Sequence, residues 1–257
     1  QAGFVKRITE LLITDNSVVG LTVGGSWLSN EIDEFSDLDL ILVTKEKISG
    51  SIDKMKAYAS RFGKLLSAFT GEHIGDTRVL ICLYDDPLLH VDIKFLTIDE
   101  FGKRVETPVI LLDKGGELKK IIESSESKFP KPDFQWIEDR FWIWIHYALL
   151  KIGRGEYFES FDFFSALRSI VLGPMLHMKS NSAPRGVRKL ELISSPEDLN
   201  MLKATLPAYD KESLLLALNA SITLYRKLRS ELYGDNITFR TEAEERVMLY
   251  FDEISAR

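Results

Sequence analysis

The chain has 257 residues, 45% of them hydrophobic and 28% charged, and a net charge of −6. That length suits one large domain or two modest ones with a real core, and the composition excludes a disordered, collagen-like or low-complexity chain. The acidic balance disfavours a nucleic-acid backbone as main substrate, since such proteins carry a basic face; residues 1–128 hold 16 basic and 21 acidic side chains and the rest 17 and 18.

Residues 4–14 place Phe4, Val5, Ile8, Leu11 and Leu12 on one helical face. Residues 18–23 then read as a strand ending at Gly24-Gly25, with a helix expected to start at Ser26-Trp27-Leu28. The run DLDLILVT over 37–44 predicts a strand buried on both faces. Residues 52–69 read as a helix through Met55, Tyr58, Ala59, Phe62, Leu65 and Leu66. Two strands follow, 78–84 and 89–96, joined by the turn residues Asp85-Asp86-Pro87, and 108–112 reads as an edge strand. Pro130 and Pro132 oppose both helix and central strand and mark a boundary. Beyond it, 134–152, 157–179, 211–232 and 242–254 read as helices, with a shorter one capped by Ser195 ahead of Pro196. The pattern predicts an α+β fold, in which an N-terminal mixed β-sheet flanked by helices precedes a C-terminal helical bundle, with domains at 1–128 and 129–257. The one cysteine, Cys82, reads as a small core residue and fits a reducing, cytoplasmic compartment. No apolar run approaches the roughly 18 residues of a membrane span, and the start lacks a signal pattern, so no membrane association is expected.

Chemistry concentrates at Gly24-Gly25-Ser26 and Asp37-Leu38-Asp39. Glycines let a backbone turn sharply and approach a ligand closely. Exposed amides at a helix start favour phosphate, and Ser26 adds a hydroxyl donor. With a strand period of two, Asp37 and Asp39 project from one face. Side-by-side carboxylates repel unless a cation sits between them, and hard oxygen ligands suit Mg²⁺. Asp92 lies in an otherwise apolar strand, where a charge is costly unless paired or metal-bound. It is the natural third ligand if its strand neighbours the one carrying Asp39. Three carboxylates beside a phosphate-binding turn fit two-metal phosphoryl or nucleotidyl transfer.

The stretch GGSWLSNEIDEFSDLDLILV, with LLHVDIKFL after it, resembles the signature of the DNA polymerase β-like nucleotidyltransferase superfamily. Size and helical second half resemble its aminoglycoside and lincosamide adenylyltransferases. The resemblance implies that Gly25 and Ser26 hold the β- and γ-phosphates of ATP or another nucleoside triphosphate. It implies that Asp37, Asp39 and Asp92 bind Mg²⁺, two ions in all, and that Asp92 helps deprotonate the acceptor hydroxyl. The reaction it implies moves a nucleoside monophosphate, AMP in the first instance, to a small-molecule hydroxyl and releases pyrophosphate. Many members carry Arg where this chain has Trp27, so other cations must serve the phosphates.

Lys151 and Arg154, at the end of an aromatic-rich helix, are the candidate nucleotide contacts. Lys94 and His90 share the face of Asp92 in its strand. Glu138 and Glu156 are alternative bases, and Trp136, Trp142, Trp144, Phe141 and Tyr147 form either core or a substrate box. Two other readings stay open: a non-catalytic nucleotide-binding or toxin–antitoxin regulator on the same fold, and a nucleotidyltransferase acting on RNA or protein. The sequence has no P-loop, GxGxxG, HExxH or GxSxG motif.

Overall fold

The computed structural model describes residues 1–28 and 32–257. Two compact units divide the chain, Gln1–Phe129 and Pro130–Arg257.

The first unit begins with helix α1 (Ala2–Ile13), which buries Phe4, Val5, Ile8 and Leu12. Strand β1 (Val18–Val23) is wholly buried and leads into a single 3₁₀ turn, Gly25–Trp27. The helix expected to start at Ser26 is, within the described residues, only this turn, closed by Leu28 N–H to the Gly25 carbonyl at 3.1 Å. Its continuation over Ser29, Asn30 and Glu31 lies outside the described residues. Strand β2 (Leu38–Thr44) follows, and Asp37 stands one residue ahead of it. The helix predicted over 52–69 is corrected: α2 (Ile52–Ala59) stops after two turns and strand β3 (Lys64–Gly71) replaces its second half. Phe62, Leu65, Leu66 and Phe69 have helical spacing, but β3 pairs antiparallel with β4 (Asp76–Asp85), and that ladder outweighs the local pattern. Leu66 and Phe69 are left exposed on this edge strand.

Strand β5 (Leu89–Leu96) returns antiparallel to β4 and lies parallel to β2. Helix α3 (Ile98–Phe101), edge strand β6 (Val109–Asp113) and helix α4 (Glu117–Ser124) complete the unit. Among the described residues the six strands form one mixed sheet in the order β3-β4-β5-β2-β1-β6. One face carries Leu38, Leu40, Leu42, Val91, Ile93 and Phe95 and packs with α1 and α2. Cys82 belongs to this core, where burial pushes its thiol up to about 12. On the other face Val43 and Leu96 pack with Phe101 of α3 and Leu118 of α4. These residues cover the late part of β2 and β5, whereas Asp39 and Asp92, earlier in the same strands, are only half-buried.

The second unit is helical. It contains α5 (Phe134–Gly153), α6 (Tyr157–Leu167), α7 (Gly173–Lys179), α8 (Leu190–Ile193), α9 (Pro196–Lys203), α10 (Lys211–Leu232) and α11 (Thr241–Ser255). The helix predicted over 157–179 contains a wide π turn at Arg168–Leu172, separated from Pro174 only by Gly173. Proline supplies no backbone N–H and its ring clashes with the preceding turn, which the wider turn relieves. Ser195 caps α9 by accepting from Asp198 N–H. Phe141, Trp142 and Tyr225 are fully buried in this core, with Phe141 stacked on Tyr225 at 3.5 Å. No described helix is long and apolar enough to cross a membrane.

Candidate active site

The site forms where β1 ends and β2 begins. Val23 pairs with Leu40, and Gly24 N–H donates to the Asp39 carbonyl at 2.9 Å, so the Gly-Gly-Ser turn is tied to the strand bearing the acids. Gly25 has φ +61°, the left-handed region, and a β-carbon there would lie 2.0 Å from Asp39 Oδ2. Only glycine meets both conditions without displacing the Asp39 side chain.

Asp39 and Asp92 are direct register partners of the parallel β2–β5 ladder. This meets the condition on which Asp92 depended as third acid. The Asp92 carboxyl is raised from its ordinary value. Burial is the main cause, His90 opposes it, and the charge of Asp37 adds to it. His90 is 53% exposed and its Nε2 lies 3.0 Å from Asp92 Oδ1. His73 is held against the Phe69 ring at 5.7 Å. Among the described residues no three acids, histidines or cysteines already form a gathered metal-binding group. The donor set still suits a hard cation. Two carboxylates lie abreast on adjacent strands, a third exerts its field on Asp92, and burial penalises the charge of Asp92.

Other sequence candidates have different partners. Lys94 Nζ binds Asp76 Oδ2 at 2.8 Å, and Arg78 donates to both Asp76 oxygens, Nε to Oδ1 at 2.8 Å and Nη2 to Oδ2 at 2.9 Å; the pair holds that carboxyl well below its usual range, Arg78 chiefly. Lys94 is therefore an ion-pair residue of the sheet. Lys151 Nζ lies 2.6 Å and Arg154 Nη1 3.6 Å from Glu156, so both candidate nucleotide contacts share one carboxylate inside the helical unit. Glu138 is fully buried and accepts from Arg229 Nη1 at 3.2 Å, Arg240 N–H at 2.9 Å and the Tyr225 hydroxyl. Glu138 thus anchors the core and is not placed to serve as a base. The aromatic box divides: Phe141 and Trp142 are core, while Trp144 and Tyr147 line a cavity of about 540 Å³ with Phe163, Glu159 and Asp162. Glu106 was not anticipated. It accepts from Gly25 N–H at 2.9 Å across a separation of 81 residues, in a loop with no periodic or motif signal.

The family model of streptomycin adenylyltransferases matches residues 2–254. The chain belongs to this family. It is accordingly a nucleotidyltransferase with ATP as co-substrate, as the sequence resemblance implied. No curated protein matches the chain. Among solved structures, an aminoglycoside 6-adenyltransferase from Bacillus subtilis is similar at 17% identity and TM-score 0.43, covering 99% of each chain. A nucleotidyltransferase-like protein from Exiguobacterium sibiricum has 10% identity and TM-score 0.35, covering 98% of this chain and 88% of its own. A spectinomycin adenyltransferase from Enterococcus faecialis, solved with ATP and spectinomycin, has 13% identity and TM-score 0.31 over 99% of each chain. Membership of the family rests on the family model.

Proposed function

We propose that this member of the family transfers the adenylyl group of MgATP to a hydroxyl of an amine-bearing antibiotic of the streptomycin or aminoglycoside class. The observation that carries the reading is the register of Asp39 against Asp92, with the Gly24–Gly25 turn one hydrogen bond away.

In this reading Gly25 N–H and the Ser26 hydroxyl hold the β- and γ-phosphates. Asp37, Asp39 and Asp92 would hold Mg²⁺, as two ions, through carboxylate oxygens. When bound, Mg²⁺ would neutralise phosphate charge and make the acceptor hydroxyl more acidic. The hydroxyl oxygen attacks the α-phosphorus in line, the bond to the bridging oxygen breaks, and pyrophosphate leaves. Asp92 accepts the hydroxyl proton; a carboxylate raised by burial is a better base than a solvated one. His90 orients Asp92 by holding its Oδ1. Lys151 and Arg154 remain proposed phosphate contacts, since cations sharing Glu156 can exchange one anion for another.

The helical unit is proposed to bind the acceptor. The cavity beside Trp144, Tyr147 and Phe163 offers aromatic faces together with the carboxylates of Glu159 and Asp162. Aromatic faces and carboxylates both attract ammonium groups. The proposed compartment is the cytoplasm, which supplies ATP. The test is pyrophosphate release with MgATP and a panel of aminoglycosides, spectinomycin and lincosamides. Release that depends on an amine-bearing acceptor is expected; no acceptor-dependent release across the panel would reject the reading.

A further inference from the structure

The Gly24–Gly25 turn holds two carboxylates, and only one of them belongs to the sequence motif. Asp39 reaches it from β2. Glu106 reaches it from the loop between α3 and β6 and accepts from Gly25 N–H at 2.9 Å. The approach is close: a β-carbon on Gly24 would lie 2.6 Å from Glu106 Oε1. Glu106 is half-buried at this position.

A carboxylate oxygen and a phosphate oxygen are alternative acceptors for one N–H, because a single donor makes only one well-aligned hydrogen bond. A carboxylate left beside a bound triphosphate would also be a like-charge neighbour at contact distance. We infer that Glu106 is an internal anion that occupies the phosphate-binding turn and must leave Gly25 N–H when a triphosphate binds, so that it sets nucleotide affinity. This rests on the reading that Gly25 N–H holds a phosphate. The contact has a structural rationale: it gives the amide of a glycine-rich turn a hydrogen-bond partner from the protein itself. It also has a kinetic consequence. By returning to Gly25 N–H, Glu106 competes with product pyrophosphate.

The test compares wild type with Glu106→Gln in calorimetric titrations with MgATP and with magnesium tripolyphosphate, which has no base or sugar. Glutamine keeps an acceptor for Gly25 N–H and removes the charge. Both ligands are expected to bind about tenfold more tightly to E106Q, because like-charge juxtaposition is among the costlier features of a binding site. Pyrophosphate inhibition should strengthen by a similar factor. Glu123→Gln, on the exposed face of α4, should leave both affinities unchanged. Thermal melts report folding, and Glu106→Ser, expected to tighten binding in the same direction, replaces the Gln variant if that variant is unstable. Equal or weaker binding by a folded Glu106 variant overturns the inference and makes Glu106 a scaffold or ligand-holding residue. Failure of wild type to bind either ligand instead rejects the turn as a phosphate site.

Discussion

Asp39 on β2 and Asp92 on β5 face each other across a parallel ladder, two acids abreast at the uncovered part of one sheet face. Like charges directly opposite in a sheet are destabilising. Asp39→Asn and Asp92→Asn are each expected to raise the melting temperature in EDTA, because one of the opposed charges is gone. Wild type should gain stability from millimolar Mg²⁺, and both variants should gain much less. Melts with and without Mg²⁺ check this; a wild type indifferent to Mg²⁺ would count against the carboxylates as its ligands.

Gly25→Ala is expected to impair both fold and activity. Its backbone is left-handed, which costs a non-glycine residue about 1–2 kcal/mol, and the new methyl would meet Asp39 Oδ2. The melting temperature should fall, and kcat/KM should fall further than stability explains, because Asp39 is displaced. A variant with wild-type kcat/KM would show that Asp39 has no fixed position to lose.

Much of this site was legible in the sequence. The apolar runs of β1, β2 and β5 make them buried strands, and the spacing of Ser26, Asp37 and Asp39 marks their junction. That Asp92 lies beside Asp39 depended on strand order, a long-range property that no local pattern specifies. The same limit explains β3: Phe62, Leu65, Leu66 and Phe69 have helical spacing, and only the free edge of β4 makes the segment a strand. Glu106 was invisible for a related reason, since a loop residue 81 positions away reaches Gly25 only once β6 is placed at the edge. The helix expected to start at Ser26 begins as one 3₁₀ turn in the described residues, and the positions directly after Leu28 lie outside them.

Glu138→Gln separates a structural carboxylate from a catalytic one. Glu138 is fully buried against Arg229, and breaking a buried ion pair costs about 3–5 kcal/mol. Stability by urea denaturation should fall by about that amount. At a temperature where the variant is folded, kcat/KM should match wild type; a loss of more than about a hundredfold would return Glu138 to the candidate bases.

Asp15 predicts acid sensitivity. Hydrogen bonds from Ser17 and then Arg61 lower its carboxyl from 3.8 to about 2. The folded state therefore keeps Asp15 ionised where the unfolded chain protonates it. The stabilisation is complete above about pH 4 and is lost as pH falls toward 2. It amounts to about 1–2 kcal/mol at 1.36 kcal/mol per pKa unit, reduced because Arg61 is partly exposed. Asp15→Asn should be less stable than wild type at pH 7, and the gap should close between pH 4 and pH 2 in denaturant titrations. A constant gap across that range would contradict the assignment.

The most direct test of the central claim is the mass of the acceptor after incubation with enzyme, ATP and Mg²⁺. Wild type should add one AMP to an amine-bearing antibiotic. Asp39→Asn and Asp92→Asn, folded by thermal melts, should reduce the rate about a thousandfold or more, the several kcal/mol that metal ligation supplies to the transition state. An acceptor mass unchanged with wild type, or adenylylation by either variant at the wild-type rate, would contradict the account.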